Sequence, residues 1–189
     1  RVEFVCGARA VRAACADYAI LGEAARLLSC GIPEVPAALQ KVLGERKDLH
    51  RARQLLLEQV AGLEAREILR SEVRAESGKP RVLARVLVEA EPAYLRLLGS
   101  KLAAEPNVQA LLATSAGGHV LFAQTPGLDA DMNALLCDCV EAVGGKGGGT
   151  RDFAQGSVPE AGRVDEVVSL AEARLGAVKK PDAKEGLPK

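Results

Sequence analysis

Between Pro36 and Glu76 the sequence contains no further proline and no glycine–proline pair that would stop a helix. Pro33 or Pro36 can open that helix, because proline is tolerated in a first turn. A helix of roughly 40 residues extends about 60 Å at 1.5 Å per residue, which is long for the core helix of a small globule. Its apolar positions Leu39, Val42, Leu49, Leu56, Val60 and Leu63 fall at heptad spacing, and Arg46, Arg53 and Glu67 interrupt that seam. A narrow, partly polar stripe suits an antiparallel hairpin or a dimer contact. The segment before it, about Ala8 to Leu28, carries Val11, Ala14, Cys15, Tyr18, Leu21, Leu27 and Leu28 near helical spacing and ends at Gly31-Ile32-Pro33. The expectation is a helical hairpin arm over 8–77, preceded at 2–6 (VEFVC) by a short strand.

Ser77-Gly78-Lys79-Pro80 breaks the pattern, and a second kind of sequence follows. Residues 81–90 alternate and are rich in Val and Leu, 108–114 (VQALLAT) and 119–125 (HVLFAQT) are apolar runs, and Gly117-Gly118 between them reads as a hairpin turn. Pro92 opens a helix to about Ala104, and Asp129-Ala130-Asp131 can cap another reaching Val143. Residues 153–157 read as a short strand, and 159–175 as a last helix with Val164, Val167, Val168 and Ala171 inward. The expected fold class is therefore α+β: an arm, then at 81–176 a small α/β sandwich with a roughly four-stranded sheet. The tail 177–189 is polar and expected to be disordered.

Composition limits the chemistry. Hydrophobic residues make up 48% of the 189 residues, enough for a core, but aromatics only 3%, so base-stacking platforms are scarce. Lysine plus arginine and aspartate plus glutamate both number 25, which excludes a chain-wide basic footprint and allows a local one. No apolar run approaches the ~20 residues of a membrane span. Five cysteines without framework spacing suggest a reduced, cytoplasmic setting. The opening Arg1-Val2-Glu3-Phe4 suggests a piece of a longer protein, with residues 1–7 closing an upstream domain.

The stretch GGKGGGTRDFAQG, 144–156, has five glycines in six residues. Missing Cβ atoms permit positive φ and let a backbone or a phosphate approach closely, and exposed N–H groups can form an anion nest flanked by Lys146 and Arg151. The stretch is not a Walker loop, because the four-residue gap before Gly-Lys-Ser/Thr is missing, and it follows a helix where a dinucleotide fingerprint would follow a strand. Both readings stay open: a tightly turned structural loop, or a contact to nucleic acid through Gly144, Gly145, Lys146, Gly147, Gly148, Gly149 and Arg151. Asp152 and Gln155 either hold the loop's shape or touch the ligand.

Other chemistry is poorly represented. His50 and His119 lie far apart in the chain, and Cys137-x-Cys139 sits in a helical pattern where i and i+2 point to different faces. No carboxylate pair stands in an acid/base arrangement. Arg46, Lys47, Arg51, Arg53, Arg66, Arg70 and Arg74 punctuate the arm among acidic residues. They form either an ion-paired solvated face or, if they gather on one side, a phosphate contact.

The 144–156 stretch resembles the glycine-rich signature near the C-terminus of alanyl-tRNA synthetases and long-form alanyl-tRNA editing proteins, in the so-called DHH-associated domain. Gly144, Gly145, Gly147, Gly148, Gly149, Asp152, Ala154, Gln155 and Gly156 match it. RVEFVCGARAV at 1–11 is similar to the end of the editing domain. Arg151 stands where many relatives have proline, and Ser157-Val158 replaces further glycines. A related module follows the catalytic domain of DHH phosphoesterases, usually with a histidine after the glycine triplet. Thr150 stands there instead, which favours the tRNA branch. The resemblance implies a non-catalytic C-terminal region that holds tRNA and leaves open a homodimer through the arm. The parent would hydrolyse mischarged Ser- or Gly-tRNA(Ala) through an upstream zinc site built from a His-x-x-x-His and a Cys-x-x-x-His pair. No residue of this chain matches either pair, so no cofactor is expected in it.

Overall fold

The computed structural model describes residues 6–71 and 80–177. The expected strand at 2–6 (apart from Cys6), the break at 77–79, the tail beyond 177, and Arg74 lie outside the described residues. The chain divides into two compact units, Arg1–Leu56 and Leu57–Lys189.

The first unit holds helix α1 (Ala8–Leu27), a 3-10 turn at Ile32–Glu34, and the start of helix α2 (Val35–Ser71). Gly7, at φ 61, opens α1. The helix ends on Ser29, at φ 52, with the Cys30 amide donating to the Ala25 carbonyl at 3.0 Å. This left-handed residue meets the orphan carbonyls of the last turn, a role more often given to glycine. The Gly31 amide donates to the Glu34 carboxylate at 3.0 Å and starts the next helix. Ala25 is buried at this turn, whereas Val11, Tyr18, Leu39 and Leu49 remain exposed.

In the second unit α2 continues with a different face buried: Ala61, Ala65 and Ile68, not Val60 and Leu63 of the heptad seam. Ala65 and Ile68 pack with Leu83, Leu95, Leu98 and Leu102. Arg81 donates to the Leu69 carbonyl at 2.6 Å, and the Tyr94 hydroxyl donates to the Glu64 carboxylate, so α2 is fastened to the sheet layer. Burial, and then this hydrogen bond to Glu64, push the Tyr94 phenol above its ordinary value. A phenol raised in the folded state contributes stability that is intact below about pH 10, the unfolded value, and is lost as pH rises beyond it. Denaturant titrations between pH 9 and 11.5 should therefore show a steeper alkaline loss in the native chain than in Tyr94→Phe. Identical profiles would remove the linkage.

The sheet has five strands: β1 (Arg81–Leu87), β2 (Val108–Thr114), β3 (His119–Gln124), β4 (Lys146–Gly149) and β5 (Phe153–Ser157), in the order β1-β2-β3-β5-β4. The strand beyond the expected four is the glycine run itself. Its residues lack the β-branched and aromatic side chains by which strands are ordinarily read. β1 and β2 run parallel, joined through helix α3 (Pro92–Ala103), and every other pairing is antiparallel. Gly117 and Gly118, both at positive φ, turn β2 into β3. α3 and the end of α2 build one core on the sheet, around Leu98, Leu112 and Leu121. Helices α4 (Met132–Glu141) and α5 (Val164–Ala177) build the other, around Phe122, Leu136, Val140 and Val167. Each such fully buried side chain contributes about 1.5–3 kcal/mol.

Candidate nucleic-acid interface

The site begins where α4 stops. Gly144, at φ 75, takes the left-handed position after the helix, and the Gly145 amide donates to the Val140 carbonyl at 2.7 Å. The chain then runs along β5 so closely that alternate positions have no room for a side chain. A Cβ on Gly145 would lie 2.5 Å from the Ser157 carbonyl oxygen, one on Gly147 would meet the Leu136 side chain, and one on Gly149 would meet the Phe153 carbonyl. At Gly148, between them, the nearest atom would be Asn133 Oδ1 at 3.9 Å. Packing of this edge strand on α4 and β5 thus accounts for three of the glycines.

The turn from β4 to β5 is tied to the segment that precedes α4. The Arg151 guanidinium donates to the Asp129 carbonyl at 3.0 Å, and the Arg151 carbonyl accepts from the Met132 amide at 2.8 Å. Asp152 Oδ1 accepts from Gln124 Nε2 at 2.7 Å, and the same amide group reaches the Ala130 carbonyl at 2.7 Å. Gln124 is fully buried. Asp152→Ala would leave that buried donor one partner short, and a loss of about 1–3 kcal/mol is expected in urea unfolding. An unchanged midpoint would show the bond to be dispensable.

Lys146 and Gln155 belong to a different surface. α3 packs on β2 and β3 and meets β5 at Phe153, while farther along β5 the same side of the sheet is open, with Gln155 and Ser157 exposed. Period-two alternation along β5 puts Gln155 and Ser157 on that open side, while Ala154 enters the α4–α5 core. Arg96, one turn into α3, donates to Gln155 Oε1 at 3.4 Å. Arg96, His119, Lys146, Gln155 and Ser157 line an open groove of about 300 Å³ beside Pro92. The Arg96, Lys146, Gln155 and Ser157 side chains are exposed, so their charge and hydrogen-bonding capacity remain available. Two cations, an imidazole, an amide and a hydroxyl on a concave strip can take an anionic polymer. His119 and Ser157 stand opposite each other in the β3–β5 register, and no hydrogen bond joins their side chains among the described residues.

Of the residues predicted from sequence, the structure gathers Lys146 and Gln155 in the groove and puts Arg151 and Asp152 in the turn that fastens it. Arg96, His119 and Ser157 were not predicted as site residues. The alternation along β5 could have indicated Ser157, but Arg96 reaches the groove only through the packing of α3 on β3. Cys139 is buried in the α4 core, and burial pushes its thiol up, away from thiolate chemistry. Among the described residues no group of three or more His, Cys, Asp or Glu side chains is arranged to hold a metal ion.

No protein-family model matches the chain. Curated proteins do. The alanine–tRNA ligase of Methanosarcina barkeri is 29% identical over 173 residues, covering 89% of this chain and 18% of the ligase. That of Mycobacterium marinum is 30% identical over 200 residues, covering 94% and 21% respectively. The chain is similar to one segment of the alanine–tRNA ligases. It spans about a fifth of the length of these relatives. The resemblance first carried by the glycine motif thus extends along most of the sequence. Among solved structures, RecJ from Thermus thermophilus in complex with Mn2+ superposes with a TM-score of 0.53 at 18% identity, covering 77% of this chain and 20% of RecJ, a likeness of fold alone. The C-Ala domain of Aquifex aeolicus alanyl-tRNA synthetase aligns at a TM-score of 0.47 and 22% identity, over 55% of this chain and 98% of that domain.

Proposed function

We propose that this chain is a non-catalytic tRNA-binding module of a protein that acts on alanyl-tRNA in the cytoplasm. The observation that carries the proposal is the cation-lined groove between α3 and strands β3, β5 and β4, in a chain similar to alanine–tRNA ligases over most of its length. Arg96 and Lys146 meet backbone phosphates, while Gln155, Ser157 and His119 offer hydrogen bonds to ribose or base edges. The edge of β4 adds backbone N–H groups. Parent chemistry would be hydrolysis of mischarged tRNA(Ala) by a separate zinc domain. A Cys-x-x-x-His pair in the sequence upstream supports that assignment, whereas an Asp-His-His signature assigns the chain to a phosphoesterase as its substrate-binding accessory domain. The intact chain should shift uncharged tRNA(Ala) in a native gel and release no amino acid from Ser-tRNA(Ala). Absence of a shift at low salt contradicts the binding role, and turnover contradicts the non-catalytic one.

A second reading has its own observation. Val42, Leu49, Leu56, Val60 and Leu63 on α2 are all exposed, as the seam of a dimer would be in a single protomer. Light scattering across a concentration series should show a dimer if this seam is used, and a monomer throughout if it is not.

A further inference from the structure

The first unit carries a basic face that the groove does not explain. Leu43, Arg46, Lys47 and His50 stand at i, i+3, i+4 and i+7 on α2 and line one surface depression. On a solvated helix of mixed sign, cations are ordinarily matched by carboxylates three or four positions away. Lys41 has Glu45 at 4.0 Å and Arg51 has Asp48 at 3.7 Å. Arg46 has only Val42, Leu43, Leu49 and His50 at those spacings, and Lys47 has Leu43, Gly44, His50 and Arg51. Neither Arg46 nor Lys47 makes a hydrogen bond or ion pair among the described residues. Glu45 and Asp48, their chain neighbours, lie about 100° round the helix and are matched elsewhere. The positive field of this face is therefore left uncancelled locally. Arg46 and His50 are one turn apart, about 6 Å of rise, so the face can follow successive phosphates of a single strand.

We propose that the Arg46–Lys47–His50 face of α2 is a second contact for the RNA backbone, separate from the groove beside α3. The partner is chosen by charge complementarity and rests on the tRNA-binding reading given above. Leu43 supplies an apolar rim against which a ribose can pack. The two contacts divide the electrostatic work, so each should be detectable as its own share of the salt dependence.

The test uses the intact chain and fluorescently labelled tRNA(Ala), with affinity measured by anisotropy from 50 to 300 mM KCl. Arg46→Gln/Lys47→Gln removes two charges without removing helix-forming side chains, and circular dichroism should confirm unchanged helix content. The variant is expected to bind about thirtyfold more weakly at 0.1 M salt. Its slope of log K against log [KCl] should be shallower by about 1.4–1.8, the share of two phosphate contacts. Glu45→Gln, on another side of the same helix, should bind at least as tightly as the native chain. If the arm variant keeps native affinity and slope while Arg96→Ala/Lys146→Ala loses them, the arm inference fails and the function stands. If the native chain binds no tRNA, or binds an acidic peptide as well as it binds tRNA, both fail.

Discussion

Gly145→Ala is expected to destabilise the second unit by about 1–3 kcal/mol, the usual cost of forcing extra volume into a packed site. In a chain of this size that lowers the melting temperature by about 2–4 °C for each kcal/mol. The reason is specific: the new Cβ would lie 2.5 Å from the Ser157 carbonyl oxygen and 3.1 Å from that of Val140. Both are backbone atoms of packed elements and cannot swing away. Gly148→Ala serves as the control within the same strand, since its Cβ would come no closer than 3.9 Å to any atom. That variant should melt within about 2 °C of the native protein, because surface substitutions away from such contacts usually stay within ±0.5 kcal/mol. Equal melting points for the two variants would mean that β4 does not pack on β5 and α4 as described. Differential scanning calorimetry on the intact chain resolves the comparison.

Arg96→Ala/Lys146→Ala should weaken tRNA(Ala) binding about fiftyfold at 0.1 M salt and flatten the salt dependence by about 1.4–1.8 in log–log slope. Both side chains are exposed at the groove, so their removal should leave thermal stability nearly unchanged. Arg151→Ala should behave differently. Its guanidinium already donates to the Asp129 carbonyl, and its loss should appear first as a lower melting temperature. This contrast separates residues that meet RNA from those that shape the turn. A groove variant with native affinity would remove Arg96 and Lys146 from the interface.

The elements that could be read from sequence are those whose burial repeats locally. Val164, Val167, Val168 and Ala171 recur at helical spacing and all four are buried in α5; VQALLAT is buried along its whole length as β2. The glycine run could not be read in this way. A strand whose one side chain is Lys146 gives no periodic signal, and its pairing with β5 depends on where α4 releases the chain. The arm shows a related limit. Its large residues suggested the seam Leu39–Leu63, but the face that packs in the second unit is Ala61, Ala65 and Ile68, where small residues let the helix approach the sheet layer. For the site, the motif located Lys146 and Gln155. Arg96 lies far away in sequence and joins them only through the packing of α3 on β2 and β3, which brings it to Gln155 on β5. In GGKGGGTRDFAQG, close approach of neighbouring atoms explains Gly145, Gly147 and Gly149, and Lys146 and Gln155 are the residues that line the groove.

Hydrogen exchange read by mass spectrometry on the intact chain, with and without tRNA(Ala), tests the central claim most directly. β4 is an edge strand whose outward amides have no strand partner within the sheet. Binding at the groove should slow exchange in peptides covering Lys146–Ser157 and the first turns of α3, and leave the buried strand β2 unchanged. Protection confined to other surfaces, or no protection at saturating tRNA, would contradict it.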